Sequence, residues 1–202
     1  MKLINKPIKT CYNIYMGISI FKPRFLKLKS LKKDISKIKE INNNFCILVA
    51  DLPEIYNLTT LDKYTRLDAE LLIKTQCNHV IDKIKKIDED IDIFKWADIR
   101  LQIRPYLKEI EFIISIDKDL TSLLRSTVIH NLRKRYPHIN EREIDIVSFY
   151  LLEELAQTWC FFEENIVECE AYPGKIPKLK EILFSERMIL NKKYKYINIL
   201  NN

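Results

Sequence analysis

Residues 10–50 read TCYNIYMGIS, IFKPR, FLKLKSLKKDISKIKEI, NNN and FCILVA in succession, and this stretch decides the fold. Thr10 to Ser19 is almost continuously apolar, which suits a strand covered on both faces rather than one facing water. Phe25 to Ile41 sets Leu28, Leu31, Ile35, Ile38 and Ile41 at helical spacing with lysines between them. Phe45 to Ala50 is a second short apolar run, ending at Asp51-Leu52-Pro53. Strand, helix and strand in about 40 residues make a parallel crossover unit, so the class expected is α/β.

Working outward, residues 59 to 88 read as one long helix. Trp96 marks a break, and Ile99 to Tyr136 reads as helix again, with Pro105 interrupting or beginning it. Asn140 followed by Glu143 is a capping-box start for a helix through Tyr150 and Glu154 to about Trp159. Ile166 to Ala171 reads as a strand with Tyr172-Pro173-Gly174 as its exit. Pro177 opens a last helix to about Leu190. Residues 191–202 are a basic tail to which no element is assigned. The 202 residues suit one domain, 1–202, with a core that needs no disulfide staples.

Composition excludes several classes. The five cysteines are scattered without a C-x-x-C pair, which argues against a disulfide framework and against zinc, and a reducing cytosol is the plain reading. Lys2, Lys6 and Lys9 before the run Cys11–Phe21 loosely mimic a secretory leader. That run carries Asn13 and two tyrosines, and it ends in Lys22-Pro23-Arg24 without a small-residue cleavage site. No stretch approaches the ~20 apolar residues of a membrane span. The net charge of +6 is uneven: +9 over residues 1–40, +5 over 175–202 and −8 between them. Basic ends around an acidic middle fit a polyanionic partner. Lys, Ile and Asn are abundant throughout, so the pattern equally fits the drift of an AT-rich genome.

The chain has two glycines, Gly17 and Gly174. Gly17 lies two residues before Ser19 at the end of the first strand, and a residue without a side chain there lets a substrate approach the backbone. Ligands of open parallel sheets bind beyond the carboxyl ends of the strands, so Ser19 is either a nucleophile or an ordinary turn serine. The segment lacks the further glycines of a dinucleotide cradle, and neither a P-loop nor a G-x-S-x-G elbow occurs. His79, His130 and His138 fall in or beside helices with no evident pairing to Ser19, which disfavours a Ser-His-Asp hydrolase. Tyr150 and Glu154, four apart, share a helix face. They form either a seat for a substrate ammonium, with charge-assisted bonds of roughly 1.5–3 kcal/mol each, or a common surface pattern.

Taken together, Gly17-Ile18-Ser19, the Tyr150-x-x-x-Glu154 helix, and Tyr172 with Pro173 and Pro177 after the later strand resemble the cyclodipeptide synthases in order and spacing, from about residue 10 to 190. One branch of that family carries Asn three residues after the serine. The other has a variable residue there and Tyr-Pro later, and Lys22 with Tyr172-Pro173 resembles this second branch. The resemblance implies a single Rossmann-like domain, a parallel sheet flanked by helices, similar to the catalytic domains of class I tyrosyl- and tryptophanyl-tRNA synthetases. It implies two aminoacyl-tRNAs as partners, no ATP, metal or other cofactor, a cytoplasmic location, no membrane association and a monomer.

On that resemblance Ser19 takes the first amino acid from its tRNA as an ester, while Tyr150 and Glu154 hold the α-amino group. The amine of a second aminoacyl-tRNA attacks this ester to give a dipeptidyl-Ser19, whose free amine closes the 2,5-diketopiperazine. Tyr172 positions groups and passes a proton. Gly17, Lys22, Leu48, Glu170 and Pro173 line the substrate pocket. Lys74, Lys83, Lys85 and Lys86 on helix 59–88 face tRNA phosphates, with the lysines of 27–39 as a rival patch. Two alternatives stand beside this reading: a noncatalytic tRNA-binding module with a synthetase-like fold, and a serine acyltransferase or hydrolase acting on small esters.

Overall fold

The computed structural model describes residues 12–172, 177–187, 189–190 and 193–200. The elements are β1 (Tyr12–Ser19), α1 (Pro23–Leu26), α2 (Leu28–Ile41), β2 (Phe45–Ala50), α3 (Glu54–Thr60), α4 (Arg66–Ile87), β3 (Asp92–Lys95), α5 (Trp96–Ile116), α6 (Lys118–Leu132), α7 (Glu141–Glu163), β4 (Val167–Tyr172), α8 (Lys178–Glu181) and β5 (Tyr196–Asn198). The strands form one five-stranded sheet in the order β3-β2-β1-β4-β5, with every described pairing parallel. The expected α/β class, the crossover from β1 to β2 and the flanking helices are all present.

The sheet alternates its side chains between two apolar layers. Ile14, Met16 and Ile18 of β1 join Ile47 and Val49 of β2 beneath α2 and α4. Tyr15, Cys46 and Leu48 face the other way, into α5, α6 and α7. A central strand buried on both faces must be apolar at nearly every position, which is why β1 and β2 show no polar alternation. The described cysteines, Cys46, Cys77, Cys160 and Cys169, are free thiols.

Strand order reverses at β1. The chain moves outward through β2 and β3, and α5 to α7 then carry it back to place β4 on the other side of β1. A crevice opens beyond the carboxyl ends of such a pair, and this is where doubly wound sheets bind ligands. Ser19 ends β1 and Tyr172 ends β4.

Several expected boundaries are corrected. Helix 59–88 is two helices, because Thr65 accepts the Asp68 N–H and starts α4 afresh after a turn in which Lys63 has φ 60°. Helix 99–136 is also two, since Asp117 accepts from the N–H groups of Asp119 and Leu120 and caps α6. Pro105 does not interrupt α5. It removes the donor to the carbonyl of Leu101, whose side chain is 83% exposed, so water can take the freed oxygen. Trp96 is the first residue of α5 rather than a break.

The last helix stops at Glu186 through a π-helical turn, Ile182–Glu186, and not at Leu190. Strands β3 and β5 were not expected. Both are edge strands of four and three residues, too short to show periodicity. The tail thus contributes β5, and Ile199 just past it is buried. Thr10, Cys11, Pro173 and Gly174 lie outside the described residues.

Candidate active site

Helix α7 lies across the β1–β4 crevice. Its start is fixed by the capping box, Asn140 Oδ1 accepting from Glu143 N–H at 3.0 Å and Glu143 returning the bond at 3.2 Å. One face then presents Tyr150, Glu154 and Thr158 at successive turns. The Tyr15 hydroxyl bonds Thr158 Oγ1 at 3.3 Å at the lower end, while Tyr150 comes within hydrogen-bonding reach of Ser19 at the upper end. Helix and strand therefore run antiparallel, and Glu154 falls at the level of Gly17.

At that level the register sets Leu48 directly beside Gly17. On the other side Met16 pairs with Ala171, which brings Tyr172 next to Gly17. Leu48 is buried, and among the described residues no atom beyond the chain neighbours lies within 4 Å of where a Gly17 Cβ would sit. The glycine is thus not demanded by its protein neighbours; it leaves space above the sheet.

Ser19, Tyr150, Glu154 and Tyr172, taken from β1, α7 and β4, are brought together. Burial, followed by the charges of Glu54 and Glu154, pushes the Tyr150 phenol well above its ordinary pKa. Burial and then Glu154 do the same to Tyr172. Both are neutral hydroxyls at physiological pH. Lys22 is exposed at the rim, with Nζ 6.0 Å from the Tyr172 ring centroid.

Two members of the site were missed in the sequence. The first is Glu54, buried at the start of α3, whose Oε1 accepts the Ser19 hydroxyl at 2.6 Å. Its other oxygen accepts from Asn57 Nδ2 at 3.0 Å. The signal was available: Pro53-Glu54 opens a helix beyond β2, and the end of β2 lies beside that of β1 in a parallel crossover. A cavity of about 420 Å³ adjoins Glu54, lined also by Phe21, Asn57, Asp62, Tyr64 and Arg135.

The second is Lys180 on α8, fully buried, with Nζ 2.8 and 3.1 Å from the Glu170 carboxylate and 3.2 Å from Glu154 Oε1. Tyr194 donates to the same Glu170 at 2.6 Å. Burial works against the Lys180 charge, but Glu170 and Glu154 outweigh it and hold the ammonium protonated. Glu170 is accordingly an ion-paired group under the pocket. Nothing in the local sequence sets this lysine apart from the other basic residues.

The neighbouring Glu153 points elsewhere. It accepts from Tyr56 at 2.8 Å and from the Trp96 indole at 2.9 Å, tying α3 and α5 to α7. Of the α4 lysines, Lys74 and Lys86 are exposed. Lys85 donates to the Ile91 carbonyl at 2.7 Å and Lys83 to the Leu26 carbonyl, so both are engaged in holding neighbouring backbone. Among the described residues no group of three or more His, Cys, Asp or Glu is arranged to hold a metal ion, and no helix is long and apolar enough to cross a membrane.

With this geometry in view the solved structures are informative. The fold is that of the cyclodipeptide synthases. The enzyme from Fluoribacter dumoffii superposes with a TM-score of 0.76 at 15% identity, over 93% of this chain and 88% of that one. A Mycobacterium tuberculosis member, whose structure related these enzymes to type I tRNA synthetases, gives 0.69 at 9% identity over 92% and 84%. The enzyme of Candidatus Glomeribacter gigasporarum, bound to Phe-tRNAPhe, gives 0.63 at 14% over 95% and 88%. Neither a protein-family model nor a curated protein matches the sequence. Likeness at these identities establishes the architecture alone.

Proposed function

We propose that this chain is an aminoacyltransferase that joins amino acids from two aminoacyl-tRNAs into a cyclic dipeptide, with both intermediates carried on Ser19. The observation that supports it best is electrostatic. Glu154, Glu170 and Lys180 form a cluster of two carboxylates and one ammonium, with Glu170 and Lys180 buried and Glu154 partly open to the space above Gly17. The cluster retains one uncompensated negative charge, which in a low-dielectric site favours a cationic guest. The α-ammonium of an amino acid is such a guest, and a serine hydroxyl stands at the same crevice to take its acyl group.

In the first step Ser19 Oγ bonds to the ester carbonyl carbon and the terminal ribose oxygen of the tRNA leaves. Tyr150 and Glu154 hold the α-amino group, and Leu48 and Tyr172 flank the side chain above Gly17. Gln157 on the same helix is buried with its amide nitrogen unbonded among the described residues.

The order of attack in the second step differs from the sequence-based expectation. Attack of an incoming amine on the Ser19 ester would release the serine and leave the dipeptide on tRNA. A dipeptidyl-Ser19 forms only when the held amine, having lost a proton, attacks the ester of the second aminoacyl-tRNA. The new terminal amine then attacks the Ser19 ester, closes the six-membered ring and frees the hydroxyl. Tyr172, neutral and beside Glu154, positions these groups and passes a proton. Lys22 at the rim, with Lys74 and Lys86 on α4, offers cations to tRNA phosphates.

The test is expression of the protein in a heterologous host with mass spectrometry of the medium. Diketopiperazines should appear and vanish with Ser19→Ala, and an aminoacyl adduct should be found on Ser19 of the purified protein. Product from the alanine variant removes the covalent reading. tRNA retention without any adduct indicates a binding module, and ribonuclease-resistant turnover indicates a small-ester acyltransferase.

A further inference from the structure

We infer that Glu54 is the general base for Ser19 and returns the proton to the leaving oxygen. The inference rests on the reading of Ser19 as nucleophile. A serine hydroxyl is a weak nucleophile until a base takes its proton, and none of the three histidines has been placed at Ser19. What the hydroxyl meets is a carboxylate at 2.6 Å, already accepting its hydrogen. Asn57 donates to the other oxygen at 3.0 Å and so orients the carboxylate, the arrangement of nucleophile, base and orienting group that acyl transfer requires.

The surroundings suit the role. Glu54 is 6% exposed, and burial pushes its pKa up, while Ser19, Asn57, Arg135 and Tyr150 pull it back only in part. The groups facing it are Ser19 from β1, Asn57 on its own helix, Tyr150 from α7, and Arg135 and Tyr136 from the segment between α6 and α7. Asp62 lines the adjoining cavity. A base raised toward neutrality is more effective at accepting a proton in the transition state.

The proton balance closes. As the Oγ–carbon bond forms, the Oγ proton passes to Glu54, and Glu54 delivers it to the departing ribose oxygen. In ring closure the attacking amine loses a proton to Glu54, which hands it to Ser19 Oγ as that bond breaks. Glu54 ends each step as the carboxylate it began as.

The experiment is single-turnover acylation of purified protein with total tRNA charged with a mixture of labelled amino acids. Glu54→Gln keeps the shape and a hydrogen-bond acceptor for Ser19 but cannot take the proton, and should slow adduct formation by about 100-fold or more. A rate within about threefold of wild type overturns the proposal while leaving the synthase reading intact. Absence of adduct on the wild-type protein overturns the synthase reading and this proposal with it. The wild-type rate gives a second measurement that does not depend on the variant folding. It should rise with pH as Glu54 ionises above the ordinary carboxylate range and then level off, and a flat profile overturns the proposal.

Discussion

Lys180 Nζ lies 3.2 Å from Glu154 Oε1, and the lysine side chain is completely buried. This contact joins Glu154 to an ion network whose buried members are Lys180 and Glu170. It also explains how two carboxylates are tolerated under one pocket: the cation between them offsets most of their mutual repulsion.

Lys180→Met should therefore leave Glu170 and Glu154 uncompensated. Breaking a buried pair from one side costs about 3–5 kcal/mol, so the urea midpoint should fall markedly. The double change Lys180→Met with Glu170→Gln should recover a large part of that loss, because no buried charge is then orphaned at Glu170. A double variant no more stable than the single one contradicts the network.

Glu153→Ala should act on stability. Two hydrogen bonds to a charged acceptor are lost, each worth about 1.5–3 kcal/mol, and the Trp96 indole loses its partner inside the core. Thermal melting of the variant beside Glu154→Ala separates the roles. The first should melt much lower, and the second should lose turnover with a smaller change in melting.

Gly17→Ala is expected to separate fold from function. A Cβ there meets no atom of the other described residues within 4 Å, and glycine in a strand costs roughly 0.5–1 kcal/mol relative to alanine. The variant should melt at or slightly above wild type, yet form less adduct because the methyl group occupies substrate space. A large drop in melting temperature would mean that the position is packed.

Glu54 gives a pH dependence with a definite sign. Its folded pKa is raised by burial above the unfolded value of about 4.3. The folded state thus binds more protons through that window, and stability falls as pH rises from the unfolded pKa through the folded one. Glu54→Gln lacks this loss. Its melting advantage over wild type should grow between acidic and neutral pH, while acylation slows. An advantage that shrinks with rising pH contradicts the burial argument.

Lys74→Glu with Lys86→Glu should weaken aminoacyl-tRNA binding and flatten its salt dependence, by a slope of about one for each phosphate contact removed. Filter binding across a salt series reads this directly. Unchanged slope and affinity place the tRNA elsewhere, with the exposed lysines of α2 the next surface to alter.

Adjacent residues at this site differ in how far the sequence exposes their roles. Tyr150 and Glu154 could be paired from sequence because helical periodicity alone sets positions four apart on one face. Asn140 and Glu143 announced where that helix starts for the same local reason. Yet Glu153 and Glu154 are indistinguishable in sequence, and only the packing of α3 and α5 against α7 makes one a structural anchor and leaves the other at the crevice.

By itself, then, the sequence determined the β1–α2–β2 crossover, the glycine two residues before Ser19, and the helix face bearing Tyr150 and Glu154. Each follows from steric or periodic rules acting over a few residues. Tertiary structure decided the rest. Glu54 meets Ser19 across 35 positions, and Lys180 reaches Glu154 across 26. Strand β4 lies beside β1 only after three helices have brought the chain back. No local pattern encodes which strands become neighbours, because that choice minimises exposed apolar surface over the whole sheet, and the chemistry of the crevice is a consequence of that global choice.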